Sequence, residues 1–442
     1  MPVTITRARV FAGCALVALA IGGDAAVLPS TALAQAAGRV AAAPDATPAA
    51  AQDTTRRAVS QDTPRMAVQE PPPVATPTAP RAATLRPVAQ QFLATVRANF
   101  AQWDLNHDGR LTREEIELDM QNPRFTGDAA AALASLKIGA TKSNHLPETR
   151  SFSTADIDAI ERTLEAGQKL DANFIGYFAA GRKKLEETPR ELFAQGTPRL
   201  TAIRQMFTSD CYFLSAAGAV AQTNPLALVR LITPNRDGSY TVQFAGQPPV
   251  RILRPTDTEI ATYTTAKDGI WLNVLQKAYA VLRIRMEPKE PATREALDSV
   301  GFRTGSTGVV ELLTGHPSRA IRLGGESEQP GSSHAGAPTI GPAGAPPSAR
   351  MLAQVRAALQ VAFRDRRAVL ASKTHHAYAV TGYDAATDQV TVHNPYNHGG
   401  LETLAEGSKV PRTEDGFFTI STAQLVTYFF NVRFEQGGRA GS

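Results

Sequence analysis

The sequence predicts an α+β protein, a helical module followed by a domain of mixed helices and strands, and three observations carry that expectation. Val88, Phe92, Val96, Phe100 and Trp103 recur at spacings of three and four, as one face of a helix requires. An apolar stretch over residues 211–221 has the length of a buried helix and stops at Asn224-Pro225. Residues 377–383 and 389–393 read as two strands joined by the turn-like Asp384-Ala385-Ala386-Thr387-Asp388.

The N-terminus carries Arg7 and Arg9, an apolar run over 10–22, and Ala32-Leu33-Ala34 before Gln35. That is the layout of a secretory signal, so residues 1–34 are expected to direct export to a secreted, periplasmic or cell-surface location. The run is too short for a membrane span, and none is expected in the mature chain. Cys14 sits near the start of the run, with Ala15 to Ile21 beyond it, which argues against a lipoprotein cleavage site. The whole chain carries a formal +5 at pH 7, a small balance that suggests no nucleic-acid partner. Past the signal Cys211 is the single thiol, so no internal disulfide can form and stability must come from core burial or metal. Taken alone, such a residue is most simply a small buried apolar group.

Residues 35–84 are rich in Ala, Pro, Thr and Gln and nearly devoid of aromatics, so they cannot bury enough surface to fold and read as a disordered linker. A second such segment, 324–349, is rich in Gly, Ser, Pro and Ala and reads as a disordered insertion. These boundaries leave a helical module over 85–188 and a second domain over 189–436.

The first helix leads into Asp104-Leu105-Asn106-His107-Asp108-Gly109-Arg110-Leu111-Thr112-Arg113-Glu114-Glu115. Oxygen side chains at positions 1, 3 and 5, Gly at 6, an apolar residue at 8 and Glu at 12 are the pattern of an EF-hand calcium loop. Asp104, Asn106, Asp108, the carbonyl of Arg110 and Glu115 are the expected Ca2+ ligands. Such loops pair through position 8. Residues 152–157 have the look of a second loop's end, but the stretch before them, with His145, Pro147 and Arg150, lacks carboxylates and reads as a degenerate partner. A further helix is expected from about Asp171 to Glu187, ended by Pro189.

Cys211 opens the buried helix, where the positive end of the dipole and a nearby imidazolium would favour its thiolate. Gln205, on the loop entering that helix, can offer its amide to a developing oxyanion. In a hairpin centred near residue 385, His376 and Asn394 come out opposite one another, so Asn394 can accept from one ring nitrogen of His376 and leave the other for the thiol. A nucleophile, a base, an orienting group and an oxyanion donor make the set that nucleophilic acyl transfer needs.

These residues resemble the calpain family of cysteine proteases, which have a papain-like fold. The family's Gln, five residues and then Cys are matched by Gln205 and Cys211, followed by Tyr212 and Leu214; its His-Ala-Tyr and Asn-Pro-Trp motifs by His376-Ala377-Tyr378 and Asn394-Pro395-Tyr396. Gly269 to Ala280 resembles the family's helix with a Trp and a Lys-Ala-Tyr run, and Gly305-Ser306-Thr307 with Leu313-Thr314-Gly315 its Gly-rich stretch. The match spans residues 197–431. Tyr212 and Tyr396 stand where the family has Trp, and the EF-hand module precedes the core, whereas animal calpains carry a penta-EF-hand domain after it. The resemblance implies an endopeptidase acting on protein or peptide substrates. The alternative is a catalytically silent calcium-binding interaction protein on a protease scaffold. Acyl transfer to an amine would use the same logic, although transglutaminases carry Asp in place of Asn394. A zinc site from His375, His376, His393 and His398 is disfavoured, since neighbouring residues of a strand face opposite sides. Trp103 and Trp271 read as core.

Overall fold

The computed structural model describes residues 82–142, 151–168, 173–206, 208–286, 297, 308–323, 347–373, 376–396 and 415–437. The expected signal, nearly all of the 35–84 linker, most of the 324–349 insertion, and residues 145–150 and 305–307 lie outside them. The described residues form the expected α+β mixture.

The first part is helical: α1 (Ala82–Trp103), α2 (Arg113–Met120), α3 (Gly127–Lys142), α4 (Thr154–Glu165) and α5 (Phe174–Glu187), with the short strands β1 (Arg110–Leu111) and β2 (Phe152–Ser153) between them. Helix α1 begins at Ala82, within the compositional linker, and runs through Pro87. Its apolar stripe is buried, with Phe92, Val96 and Trp103 wholly inside. Each such side chain contributes roughly 1.5–3 kcal/mol by leaving water. Helices α2 and α4 start on matching caps. The Thr112 hydroxyl accepts the Glu115 N–H while the Glu115 carboxylate accepts the Thr112 N–H, and Ser153 with Asp156 repeats the exchange. Leu111 on β1 pairs opposite Phe152 on β2, both wholly buried, which joins the segment expected as a degenerate partner to the first loop.

Next come β3 (Ile203–Arg204), α6 (Cys211–Thr223), α7 (Pro225–Leu231), a meander of β4 (Ile232–Pro234), β5 (Tyr240–Val242) and β6 (Val250–Ile252), α8 (Asp257–Thr262), β7 (Thr265–Ala266), α9 (Trp271–Met286) and α10 (Val309–Thr314). The last part builds a sheet from β8 (Ser318–Arg322), β9 (Val369–Lys373), β10 (His376–Asp384), β11 (Gln389–His393), β12 (Phe417–Ser421) and β13 (Asn431–Glu435), with α11 (Ala349–Arg364) and α12 (Thr422–Tyr428). Its order is β12-β11-β10-β9-β13-β8, antiparallel throughout.

Successive residues of a strand point to opposite faces, and this sheet therefore has a core on each side. Leu370, Ala377 and Ala379 face the core that contains α6, whereas Val369, Ala371, Tyr378 and Val380 pack with Val355 and Leu359 of α11 and Leu425 of α12. A slip of one residue would exchange the two sets. The first core is continuous from Phe92 and Phe178 through Phe213 and Trp271 to Ala379, so the regions before and after residue 189 share it.

Helix α6 is buried along nearly its whole length. Phe213 stacks on Tyr279 of α9 at 4.8 Å, and the Ser215 hydroxyl donates to the Ala377 carbonyl of β10 at 2.9 Å. The chain enters α9 through Gly269 at φ 137°, where an added Cβ would lie 2.5 Å from the Leu192 carbonyl oxygen, so only glycine fits. The bond between Ser215 and Ala377 is a direct polar tie between the cysteine helix and the histidine strand. Replacing Ser215 with Ala should cost about 1–3 kcal/mol, because it strands a buried carbonyl, and the denaturant midpoint measures the loss. A midpoint equal to that of the unsubstituted protein would show that the tie is dispensable.

Candidate functional site

Cys211 lies at the first turn of α6, His376 at the first residue of β10, and Asn394 and Tyr396 just past β11. The sequence places His376 opposite Asn394 in the hairpin, but the register differs. Ala379 pairs with His393, so the residue facing Asn394 is Tyr378, while His376 itself pairs with Lys373 on β9. A bulge between Val380 and Gly382 shifts the register by one residue partway along the hairpin. The two side chains still meet: His376 Nε2 lies 2.9 Å from Asn394 Oδ1. The same oxygen accepts the Tyr396 backbone N–H at 3.2 Å, which identifies it as the oxygen end of the amide. An amide oxygen can only accept, so Nε2 carries the proton and Nδ1 is the acceptor nitrogen.

The imidazole is enclosed by aromatic rings. Tyr396 stacks on it at 5.1 Å and 9°, and Tyr378 meets it edge-on at 4.6 Å and 88°. Burial pushes the His376 imidazole down to about 4; the Asn394 hydrogen bond opposes the shift and the nearby Lys373 charge adds to it. Cys211 is 2% exposed. Burial pushes its thiol up to about 12, against hydrogen bonding from the backbone of Ala377 and from the first turn of its own helix, and with the Asp210 charge adding to the rise. The dipole expected to favour the thiolate is present, but desolvation outweighs it. Both groups are therefore neutral near pH 7. The thiol lies against the Ala377 backbone, next to His376, and its charge is felt by Tyr396.

Gln205 is buried and its backbone N–H donates to the Pro395 carbonyl at 2.8 Å, which ties the loop before α6 to the Asn394 turn. Its side-chain Nε2 donates to the Thr208 carbonyl at 2.8 Å, which engages one of its two protons. Sequence reasoning overlooked Asp210. It is wholly buried and begins α6, yet its side chain makes no cap; Oδ2 instead accepts from Thr264 at 3.1 Å and from Gln276. A carboxylate set against a solid apolar run is the signal that marked it. His393 is buried beside Phe417, and His375 and His398 lie outside the described residues.

Among the described residues no group of three or more His, Cys, Asp or Glu side chains converges as a metal site. The loop over 104–115 is ordered by hydrogen bonds among its own residues. His107 and Gly109 are left-handed at φ 60° and 81°, and the N–H groups of Asp108 and Gly109 turn inward onto the Asp104 carboxylate at 3.1 and 2.8 Å. Glu115 reaches back across the loop, Oε1 accepting the Asn106 N–H at 3.2 Å and Oε2 the Thr112 N–H at 2.9 Å. The donor set of carboxylates, an amide and the Arg110 carbonyl suits a hard cation. Among the described residues, no helix is long and apolar enough to cross a membrane.

The low imidazole value has a consequence for stability. An unfolded histidine titrates near 6.5. Between that pH and about 4 the unfolded chain binds more protons at His376 than the native one does. This contribution to stability is complete above pH 6.5 and is lost as pH falls through 4. Thermal melts across that window should therefore decline less steeply for His376→Gln than for the unsubstituted chain; identical slopes would mean that the imidazole titrates normally.

Comparison with models of known protein families and with characterised proteins finds no match for this chain.

Proposed function

We propose that the chain is a secreted calpain-like cysteine endopeptidase of papain-like fold, with Cys211 as nucleophile, His376 as base, Asn394 as its orienting group and Gln205 as oxyanion donor. The observation that carries this reading is the hydrogen bond from His376 Nε2 to Asn394 Oδ1 at the strand end adjoining Cys211. That bond leaves Nδ1 as the ring's acceptor, the state a general base needs.

Because thiol and imidazole both start neutral, the proton moves as attack proceeds. Cys211 Sγ bonds to the substrate carbonyl carbon while its proton passes to His376 Nδ1, and Asn394 Oδ1 stabilises the imidazolium through Nε2–H. The carbonyl π electrons move onto oxygen, where the free proton of Gln205 Nε2 meets the developing charge. Collapse expels the amine, which takes the proton from His376 and leaves a thioester. Water, deprotonated by the same imidazole, then hydrolyses the thioester and restores the thiol.

A second reading, a silent calcium-binding interaction protein on a protease scaffold, is favoured by the burial of the Cys211 thiol. A thiol-directed epoxide separates the two: the enzyme reading expects modification at Cys211 that His376→Ala slows sharply, the scaffold reading none. Cys211→Ala should abolish hydrolysis of a denatured protein substrate, and His376→Ala should lower kcat by about 10²–10⁴-fold. Hydrolysis at the unsubstituted rate by Cys211→Ala would sink the mechanism. With the base held near 4, kcat/KM should rise with pH through an acid limb well below 6.5.

The proposed cation of the 104–115 loop is calcium, held by Asp104, Asn106, Asp108, the Arg110 carbonyl and Glu115, and its role is structural. Extracellular modules of this kind bind at about 10⁻⁴–10⁻³ M. Ten to a hundred times that concentration should add roughly 1–3 kcal/mol of stability. Calorimetry should show this gain in the unsubstituted chain and its loss in Glu115→Gln; equal gains in both would place the ion elsewhere.

A further inference from the structure

Lys184, in the last turn of α5, is a buried titratable group that no step above uses. Its Nζ donates to the Ala261 carbonyl at 2.9 Å and the Tyr263 carbonyl at 2.7 Å, where α8 ends and the chain turns toward β7. Gly181, one turn earlier on α5, lies against Ala261 as well. The next residue along that turn is Thr264, whose hydroxyl donates to Asp210 Oδ2 at 3.1 Å and whose carbonyl accepts from Asn273 of α9 at 2.9 Å. Asp210 precedes the nucleophile, and its own carbonyl accepts the N–H groups of Phe213 and Leu214 at 2.9 and 3.1 Å. A short run of hydrogen bonds and backbone thus leads from the helical part to the start of α6.

The charges agree with the geometry. Burial pushes the Lys184 ammonium down and the Asp210 carboxyl up, and each opposes the shift of the other. Burying two opposite charges is costly unless they face each other across a fixed arrangement. Lys184 meets that condition by holding two carbonyls of the turn that carries Thr264.

We propose that Lys184 is a positioning residue for Cys211, fastening the turn after α8 so that Thr264 holds Asp210 and the first turn of α6 in register with His376. The part of this that concerns turnover rests on the peptidase reading; the part that concerns the thiol does not.

The test pairs two measurements on the full chain: the rate at which iodoacetamide labels Cys211, located by peptide mapping, and kcat with KM on a peptide substrate. Lys184→Met keeps the aliphatic stem and removes the donors. It should raise the labelling rate at least about tenfold, as the first turn loosens, and lower kcat at least about tenfold with KM within about twofold. Thr264→Val cuts the same path at its other end and should do the same, and in its background Lys184→Met should change neither quantity by more than about twofold. Phe178→Leu, which weakens α5 packing against Phe92 without touching Lys184, should leave both quantities unchanged at a temperature well below its melting point. Should Lys184→Met fail to fold, Thr264→Val carries the test alone. The proposal is overturned if both variants label and turn over like the unsubstituted protein, if their effects simply add, or if Phe178→Leu reproduces them. Labelling that behaves as expected in a chain that hydrolyses nothing would retain the positioning role and overturn the peptidase reading instead.

Discussion

The burial of α6 against β10 is the constraint on which the rest depends. A helix apolar on every side must lie inside, and here it lies between the sheet, α9 and α10, with Ser215 fastened to Ala377. Once that packing is made, the first residue of α6 and the first residue of β10 fall at the same end, and Cys211 meets the His376–Ala377 backbone. The Gln205 N–H bound to the Pro395 carbonyl closes the same end from the other side. Four residues spread over most of the second domain are gathered by one helix, one strand and one turn.

That packing also sets the electrostatics. Burial raises the thiol and lowers the imidazole, so the resting pair is neutral, although the helix terminus and the Ala377 backbone pull toward the thiolate. Asn394 works against desolvation by giving Nε2–H an acceptor, and Tyr396 and Tyr378 hold the ring in one plane. Tyrosine at 396 thus supplies the flat cover that tryptophan would supply in the family the motifs resemble. In the proposed mechanism, proton transfer is therefore deferred until a substrate carbonyl is present.

The helical part is bound into the same core as the site. Phe92, Phe178 and Leu111 belong to the cluster that contains Phe213 and Trp271, and Lys184 reaches the turn after α8 with two hydrogen bonds. The change in sequence pattern near residue 189 falls within this shared core. Pattern reports which residues need a partner, whereas the choice of partner is made by packing across the whole chain.

Several features were determined by the sequence itself because they depend on local chemistry. The apolar spacing of Val88 to Trp103, the loop from Asp104 to Glu115 with its left-handed Gly109, the stop at Asn224-Pro225 and the turn after Tyr383 all follow from side chains within a few residues of one another. Cys211, His376 and Asn394 were legible as a set because a reacting thiol needs a base and an orienting group, whatever brings them together. Only the tertiary structure decided the rest: that the hairpin bulges and pairs Ala379 with His393, that Asn394 reaches His376 although the two are not paired, that Gln205 spends one amide proton on Thr208, and that Asp210 faces Thr264 and Gln276 in place of capping its helix. The direction of the thiol shift belongs here too. A helix dipole is a local property and can be read from where a helix begins, but desolvation depends on everything packed around Cys211, and in this fold it is the larger of the two.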